Sequence, residues 1–346
     1  MEPSAETTGK RTIVAGKKRG VVKKILLIFA VFLVAVLLFF AISPFPAAYT
    51  MRLMFKKSMA VAPDNYEEMV EQVTVVRDVI YPSAYQSNFA DIYYPKGSNE
   101  LLPVVLWVHG GAFVGGDKRD IEIYATALAY EGFAVVCINY HLAPEGKYPV
   151  PIIQTGEAYL WLLDMATQYP LDMERFVLAG DSAGAHIVAQ FAAIQCSKAY
   201  ATEMGIAQTV APSTIQSVIL FCGPFDVAQI STGSNAVIKF LMDRAAWAYF
   251  GRRDWAEHFS AQATIAAHIM DDFPPTFISD GNTGSFEEHA RSLADALTAN
   301  NVPIETYFIN PSAEIAQHEY QFIMNTTAGK ESFKKVLDFL QIYTSN

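Results

Sequence analysis

Gly180-Asp181-Ser182-Ala183-Gly184 is the stretch that decides how this chain is read. The apolar run Arg175-Phe176-Val177-Leu178-Ala179 precedes it and has the character of a buried strand. His186-Ile187-Val188-Ala189-Gln190-Phe191-Ala192-Ala193 follows and reads as a helix. A G-x-S-x-G pattern at a strand-to-helix turn holds its serine in a strained backbone conformation, and the flanking glycines permit close packing. The hydroxyl is then presented at the carboxyl edge of a sheet, where the next helix N-terminus favours developing negative charge. Five-residue patterns also arise by chance, so the flanking strand and helix are what make this one informative.

Outward from that turn, short β-rich runs alternate with helical stretches. Strands are expected at 73–81, 89–94, 103–109, 133–140, 175–179, 217–222, 275–279 and 303–309. Helices are expected at 121–130, 152–169, 185–199, 286–299 and 330–343, with helical segments inside 227–272. Such alternation implies a mostly parallel sheet covered on both faces. Tyr49 to Gln72 reads as one or two amphipathic helices. There is no internal repeat.

Two further stretches carry chemistry. His109-Gly110-Gly111-Ala112-Phe113 directly follows a strand. Acyl transfer needs donors where a carbonyl oxygen becomes an oxyanion. The backbone N–H groups of Gly110 and Gly111 could approach that point, and the N–H of Ala183 would complete the set. His109 itself reads as a loop anchor. A general base should follow the serine in chain order, and His318 does so between the last strand and the closing helix. His186, His258, His268 and His289 have less suitable placements.

With these residues in hand, the chain from about Tyr81 to Tyr343 resembles the α/β-hydrolase superfamily, specifically the hormone-sensitive-lipase-like esterases and carboxylesterases. The matching motifs are His109 to Phe113, Tyr140-His141-Leu142-Ala143-Pro144-Glu145 with Tyr148-Pro149, Gly180 to Gly184, and His318. The resemblance implies an α/β-hydrolase fold with an eight-stranded, mainly parallel sheet and a Ser–His–acid triad. It also implies a pocket roofed by an N-terminal segment and by residues 227–272. One position departs from the pattern. The family places its acid in a loop of the form G-x-x-D-x-L, and here Gly284 stands where the aspartate is expected. Glu287, Glu288, Asp280 and Asp226 are the candidate substitutes. The reading leans to Glu288 or Glu287, at the start of the next helix. An absent acid, and so a weak or silent enzyme, is the remaining possibility.

Composition frames the rest. The chain has 346 residues, of which 52% are hydrophobic. Ile25 to Ile42 is apolar without interruption, about the minimum length for a spanning helix, and Pro44 and Pro46 follow. Before it lie seven basic residues and only Glu2 and Glu6, a bias that keeps the N-terminus cytoplasmic. The layout expected is a basic, disordered tail (1–24), a transmembrane signal anchor (25–43), linker or cap helices (44–72) and an extracytoplasmic hydrolase domain (73–346). A cleaved signal peptide is the rival, but its apolar core is usually shorter. Beyond the tail, 18 basic and 33 acidic residues remain, which argues against a nucleic-acid partner. Cys137, Cys196 and Cys222 show no CxxC spacing and read as small buried hydrophobes, with no disulfide framework.

The sequence is therefore expected to encode a membrane-anchored serine hydrolase acting on small, lipophilic carboxylic esters, with Ser182 as nucleophile and His318 as base. No metal or cofactor is expected. Met- and aromatic-rich stretches at 49–69 and 240–250 suit either an apolar acyl site or ordinary core packing. An amidase or peptidase on the same fold, and a catalytically silent surface binding protein, are the alternatives.

Overall fold

The computed structural model describes residues 9–56, 58–231 and 235–345. The chain divides between Ala47 and Ala48 into two units. The first is dominated by one helix, α1 (Gly9–Ile42). Its Val21–Ile42 portion, 22 residues of mean hydropathy 3.4, has no buried residue and is long and apolar enough to cross a membrane. Residues 9–24 are helical, where the sequence reading had a disordered tail, because Lys and Arg are good helix formers and extend the helix backwards from its apolar part. The first eight residues of that tail lie outside the described residues. The helix stops at Ile42, before Pro44, and α2 (Phe45–Met54) begins beyond it.

The second unit holds the sheet. After α3 (Tyr66–Gln72) come β1 (Val73–Ile80), β2 (Phe89–Pro95), β3 (Leu102–Val108), α4 (Glu122–Tyr130), β4 (Ala134–Ile138) and α5 (Val150–Met165). Then follow β5 (Leu171–Asp181), α6 (Ala183–Cys196), α7 (Lys198–Met204), β6 (Ile215–Phe221), α8 (Ala236–Phe250) and α9 (Trp255–Ala263). The chain closes with β7 (Thr276–Asp280), α10 (Glu287–Ala299), β8 (Ile304–Phe308) and α11 (Thr327–Thr344). The strands lie in the order β1-β2-β4-β3-β5-β6-β7-β8. Only the β1–β2 and β2–β4 pairs are antiparallel. Strands β3, β4, β6 and β7, and β5 from Phe176 on, are almost continuously apolar and buried, as a sheet covered on both faces requires. One core forms on each face. Leu106, Leu178, Leu220 and Ile278 point into the first, and Trp107, Ala179, Phe221 and Phe277 into the second.

The antiparallel edge is fixed by charge. Asp91 on β2 is fully buried, and Lys118, in the one-turn helix before α4, places Nζ 3.0 Å from it and 2.7 Å from Asp78. The Asp78 N–H also donates to Asp91 Oδ1 at 2.7 Å. Asp78 has φ +55, and the β1–β2 register slips between Val76 and Val79. The bulge thus bends β1 around a buried carboxylate. Burial opposes the Lys118 charge, yet hydrogen bonds from the ammonium to Asp78 and Asp91 raise its pKa. Breaking such a pair leaves a buried carboxylate compensated only from its rim, chiefly by Arg77 at 3.3 Å, so Lys118→Met should lower unfolding free energy by about 3 kcal/mol. Urea denaturation followed by tryptophan fluorescence measures this, and an unchanged midpoint would contradict it.

Candidate active site

Three strand ends meet at Ser182. The residue follows β5 directly and opens α6, with φ 50 and ψ −118, a conformation costing about 1–3 kcal/mol for a non-glycine residue. Its N–H donates to Phe221 O at 2.7 Å, tying the turn to β6. The glycines leave no space for side chains. A Cβ on Gly184 would lie 2.0 Å from Val108 O, and one on Gly180 would lie 2.5 Å from Val188 Cγ2. Helix α6 can therefore start hard against the end of β3.

His318 sits in the loop after β8. Its Nε2 lies 3.0 Å from Ser182 Oγ, a hydrogen bond, and its Nδ1 lies 2.7 Å from Ser285 Oγ. Ser285 in turn donates to Asp280 Oδ1 at the end of β7. Asp280, Cys222 and His318 bring one donor atom each within 4.8 Å of one another. Burial raises the Asp280 pKa to about 6, opposed by the Ser285 hydrogen bond and His318. Burial also lowers the His318 pKa, and Asp280 is the carboxylate that opposes it.

The placement of the candidate acids differs from the sequence preference. Glu288 is exposed, and its electrostatic neighbour is His289. Glu287 is engaged by Arg291 at 2.6 Å. Asp226 accepts from Ala228 N and caps a one-turn helix, and its own N–H donates to His289 Nδ1. Among the described residues, neither helical glutamate makes a hydrogen bond or ion pair with His318, although both line the same cavity, and His318 Nδ1 is met by Ser285. Gly284 has φ +63, with no atom within 4 Å of a would-be Cβ. Ser285, which joins Asp280 to His318, was not singled out in the sequence. A hydroxyl five residues beyond a strand-end aspartate was the only available signal.

The oxyanion side also differs. Residues 111–113 all have positive φ, so the loop folds back under the serine. The Gly110 N–H, expected to be free, donates to Asp181 Oδ2 at 2.8 Å. A strand-end carboxylate reaches it first. Gly111 and Ala183 keep backbone N–H groups with no partner among the described residues. His109 is buried, stacks on Tyr140 at 4.6 Å and places Nδ1 2.7 Å from Gly110 O. Burial lowers its pKa to about 4, in keeping with a neutral anchor. His186 is likewise buried, with Nε2 against Ala263 O at 2.9 Å.

Arg52 on α2 clasps this loop. Its guanidinium donates to Val114 O at 2.7 Å and Ala143 O at 2.6 Å, and pairs with Glu145 at 2.8 Å. In front of Ser182 opens a cavity of about 950 Å³. Met54, Met59, Ile238, Met242 and Phe286 line it together with Ser182 and His318. The apolar stretches therefore divide. These side chains face the cavity, whereas Tyr249 and Phe250 pack in the core, Tyr249 stacked on Phe113 at 3.9 Å. Cys137 and Cys222 are buried and Cys196 half-buried, all as free thiols.

Two outcomes are expected. Gly184→Ala should abolish reaction of Ser182 with a fluorophosphonate, since the new methyl overlaps backbone, whereas Gly284→Ala should cost only about 1 kcal/mol of left-handed strain. Labelling that survives Gly184→Ala would contradict the packing argument. The second concerns pH. A histidine that takes the Ser182 proton must be neutral, and burial holds the His318 pKa below the ordinary 6.5, so labelling should persist as pH falls through 6.5 and fail only lower. Asp280→Asn removes the charge that favours imidazolium and should move that limb lower still. A limb at or above 6.5 would count against the burial argument.

Residues 90–295 match the BD-FAE family. The chain is 30% identical over 227 residues to carboxylesterase NlhH of Mycobacterium tuberculosis, covering 62% of this chain and 66% of that protein. It is 30% identical over 238 residues to esterase LipI of the same organism, covering 66% and 69%. The chain thus spans about two thirds of the length of these curated relatives. In fold it is similar to the crystal structure of esterase B from Lactobacillus rhamnosis, with a TM-score of 0.70 at 22% identity, over 81% of this chain and 90% of that one. The chain therefore belongs to the BD-FAE family, as a carboxylesterase-like member of the α/β-hydrolase fold.

Proposed function

We propose that this protein is a carboxylic-ester hydrolase working through an acyl-enzyme on Ser182. The observation that carries the reading is the Ser182 Oγ–His318 Nε2 hydrogen bond at 3.0 Å, on a strained turn, opening into an apolar cavity. His318 takes the serine proton as the hydroxyl attacks the acyl carbon, and returns it to the departing alkoxide. The N–H groups of Gly111 and Ala183 hold the developing oxyanion. Water then attacks the acyl-enzyme with His318 as base. Asp280 serves as the acid, acting on His318 through the Ser285 hydroxyl, which orients the ring and stabilises the imidazolium.

The Met and Phe side chains around the cavity suit a lipophilic acyl group. The same reading places the protein at a membrane. The apolar Val21–Ile42 segment acts as a signal anchor, and the basic residues before it keep the N-terminus cytoplasmic and the hydrolase domain outside.

Hydrolysis of p-nitrophenyl esters from acetate to long acyl chains by the full-length protein in detergent tests the reading. Activity should vanish in Ser182→Ala, with an optimum beyond acetate. Asp280→Ala should lower kcat on the order of 1000-fold, and Glu288→Ala far less. No ester cleaved above the Ser182→Ala level would sink the esterase reading and favour an amidase or a silent binding protein.

A further inference from the structure

The ends of β6 and β7 and the histidine loop bring three unlike donors together. Cys222 directly follows β6, Asp280 is the last residue of β7, and His318 comes from the loop after β8. One donor atom of each lies within 4.8 Å of the other two. Asp280 is buried, and its Oδ2 has no hydrogen-bond partner among the described residues. Ser285 Oγ lies 2.7 Å from His318 Nδ1 and donates to Asp280 Oδ1, so Nδ1 is the ring nitrogen on this side. Thiolate, imidazole and carboxylate are the donors that zinc takes, and sulfur disfavours magnesium and calcium. Two N–H groups already point at the sulfur, Glu319 N at 3.3 Å and Gln321 Nε2 at 3.5 Å. Donors of this kind steady a metal-bound thiolate. The other such group among the described residues, Asp254, Glu257 and His258, is exposed, and Arg252 holds its Asp254 at 2.6 Å.

We propose that Cys222, Asp280 and His318 Nδ1 form an inhibitory zinc site behind the base. His318 and Ser285 line the cavity, so an ion can enter from there. Zinc bonds of about 2.0–2.3 Å set their donors roughly 3.3–3.8 Å apart, so the three side chains must close by about 1 Å. The Ser285 hydroxyl must also rotate out from between Nδ1 and Asp280. The turn has room for this, because nothing lies within 4 Å of a would-be Cβ on the adjacent Gly284. On binding, the Cys222 thiol loses its proton to solvent, Asp280 supplies its carboxylate and His318 supplies the Nδ1 lone pair. The neutral ring then carries its proton on Nε2, 3.0 Å from Ser182 Oγ. That nitrogen can donate to the serine but cannot take its proton. Zinc therefore stops the base without filling the acyl cavity. The inhibition rests on the reading of His318 as base; the binding does not.

The test uses wild type, C222S and the double variant C137A/C196S, in which Cys222 is the one remaining thiol. Zinc chloride alone is added to full-length protein in detergent, and p-nitrophenyl ester hydrolysis is compared with each protein's own metal-free rate. Zinc should lower kcat of wild type and the double variant with little change in KM, and EDTA should restore it. C222S should need at least about 10-fold more zinc for half-inhibition, the scale of losing a group that merely supports a ligand. Cobalt(II) chloride is the second probe and needs no activity. Wild type and the double variant should develop a thiolate-to-cobalt charge-transfer band, and C222S should not. Equal zinc sensitivity in C222S and wild type, no inhibition of an active wild type, or no thiolate band overturns the proposal. Were C222S to fail to fold, the band in the double variant would decide. Were no ester cleaved, the hydrolase reading would fail, and the cobalt spectra would still decide the site.

Discussion

The structure depends on one close approach. The first turn of α6 presses against the end of β3 so tightly that a single methyl on Gly184 would overlap Val108 O. This contact forces Ser182 into its strained conformation, and the Phe221 carbonyl holds it there. Strain of this kind persists only where the surroundings over-determine it. Here the surroundings are the parallel sheet itself, because β3, β5 and β6 are neighbours and end at one level. A serine in a flexible loop would have no reason to keep its hydroxyl within 3.0 Å of a histidine 136 residues away.

Around that turn the polar groups are connected through carboxyl groups that are costly to bury. Asp280 reaches His318 through the Ser285 hydroxyl, and Asp181 holds the Gly110 loop through a backbone N–H. In both cases the charge is separated from the group it governs by a donor that fixes geometry. Such networks hold only when every member is satisfied. Among the described residues the buried Asp280 Oδ2 is left without a hydrogen-bond partner.

The segment before the sheet is also part of the site. Arg52 spans Val114, Ala143 and Glu145, joining α2 to the loop under the serine and to the turn after β4. Met54 and Phe55, one turn further on, reach the cavity wall. Residues near the start of the second unit therefore close a pocket whose chemistry lies far along the chain.

Much of this was legible in the sequence because it is local. The alternation of apolar runs with helical stretches gave all eight strands. The G-x-S-x-G pattern carries its own steric requirement, and chain order singled out His318. What could not be read there depends on distances between segments remote in sequence. The Gly110 N–H looked free because nothing local says that Asp181 reaches it. The acid was sought at Glu288 because helix-start glutamates are visible in a sequence, whereas a hydroxyl bridge from Ser285 to Asp280 exists only once β7 and the histidine loop are placed together. Sequence by itself determined the layers and the strained strand-to-helix turn at Ser182, through periodicity and backbone sterics, and chain order picked out the histidine that meets it. Tertiary structure alone decided which carboxyl groups meet which donors, because burial and a few ångströms of separation set where charge and protons reside.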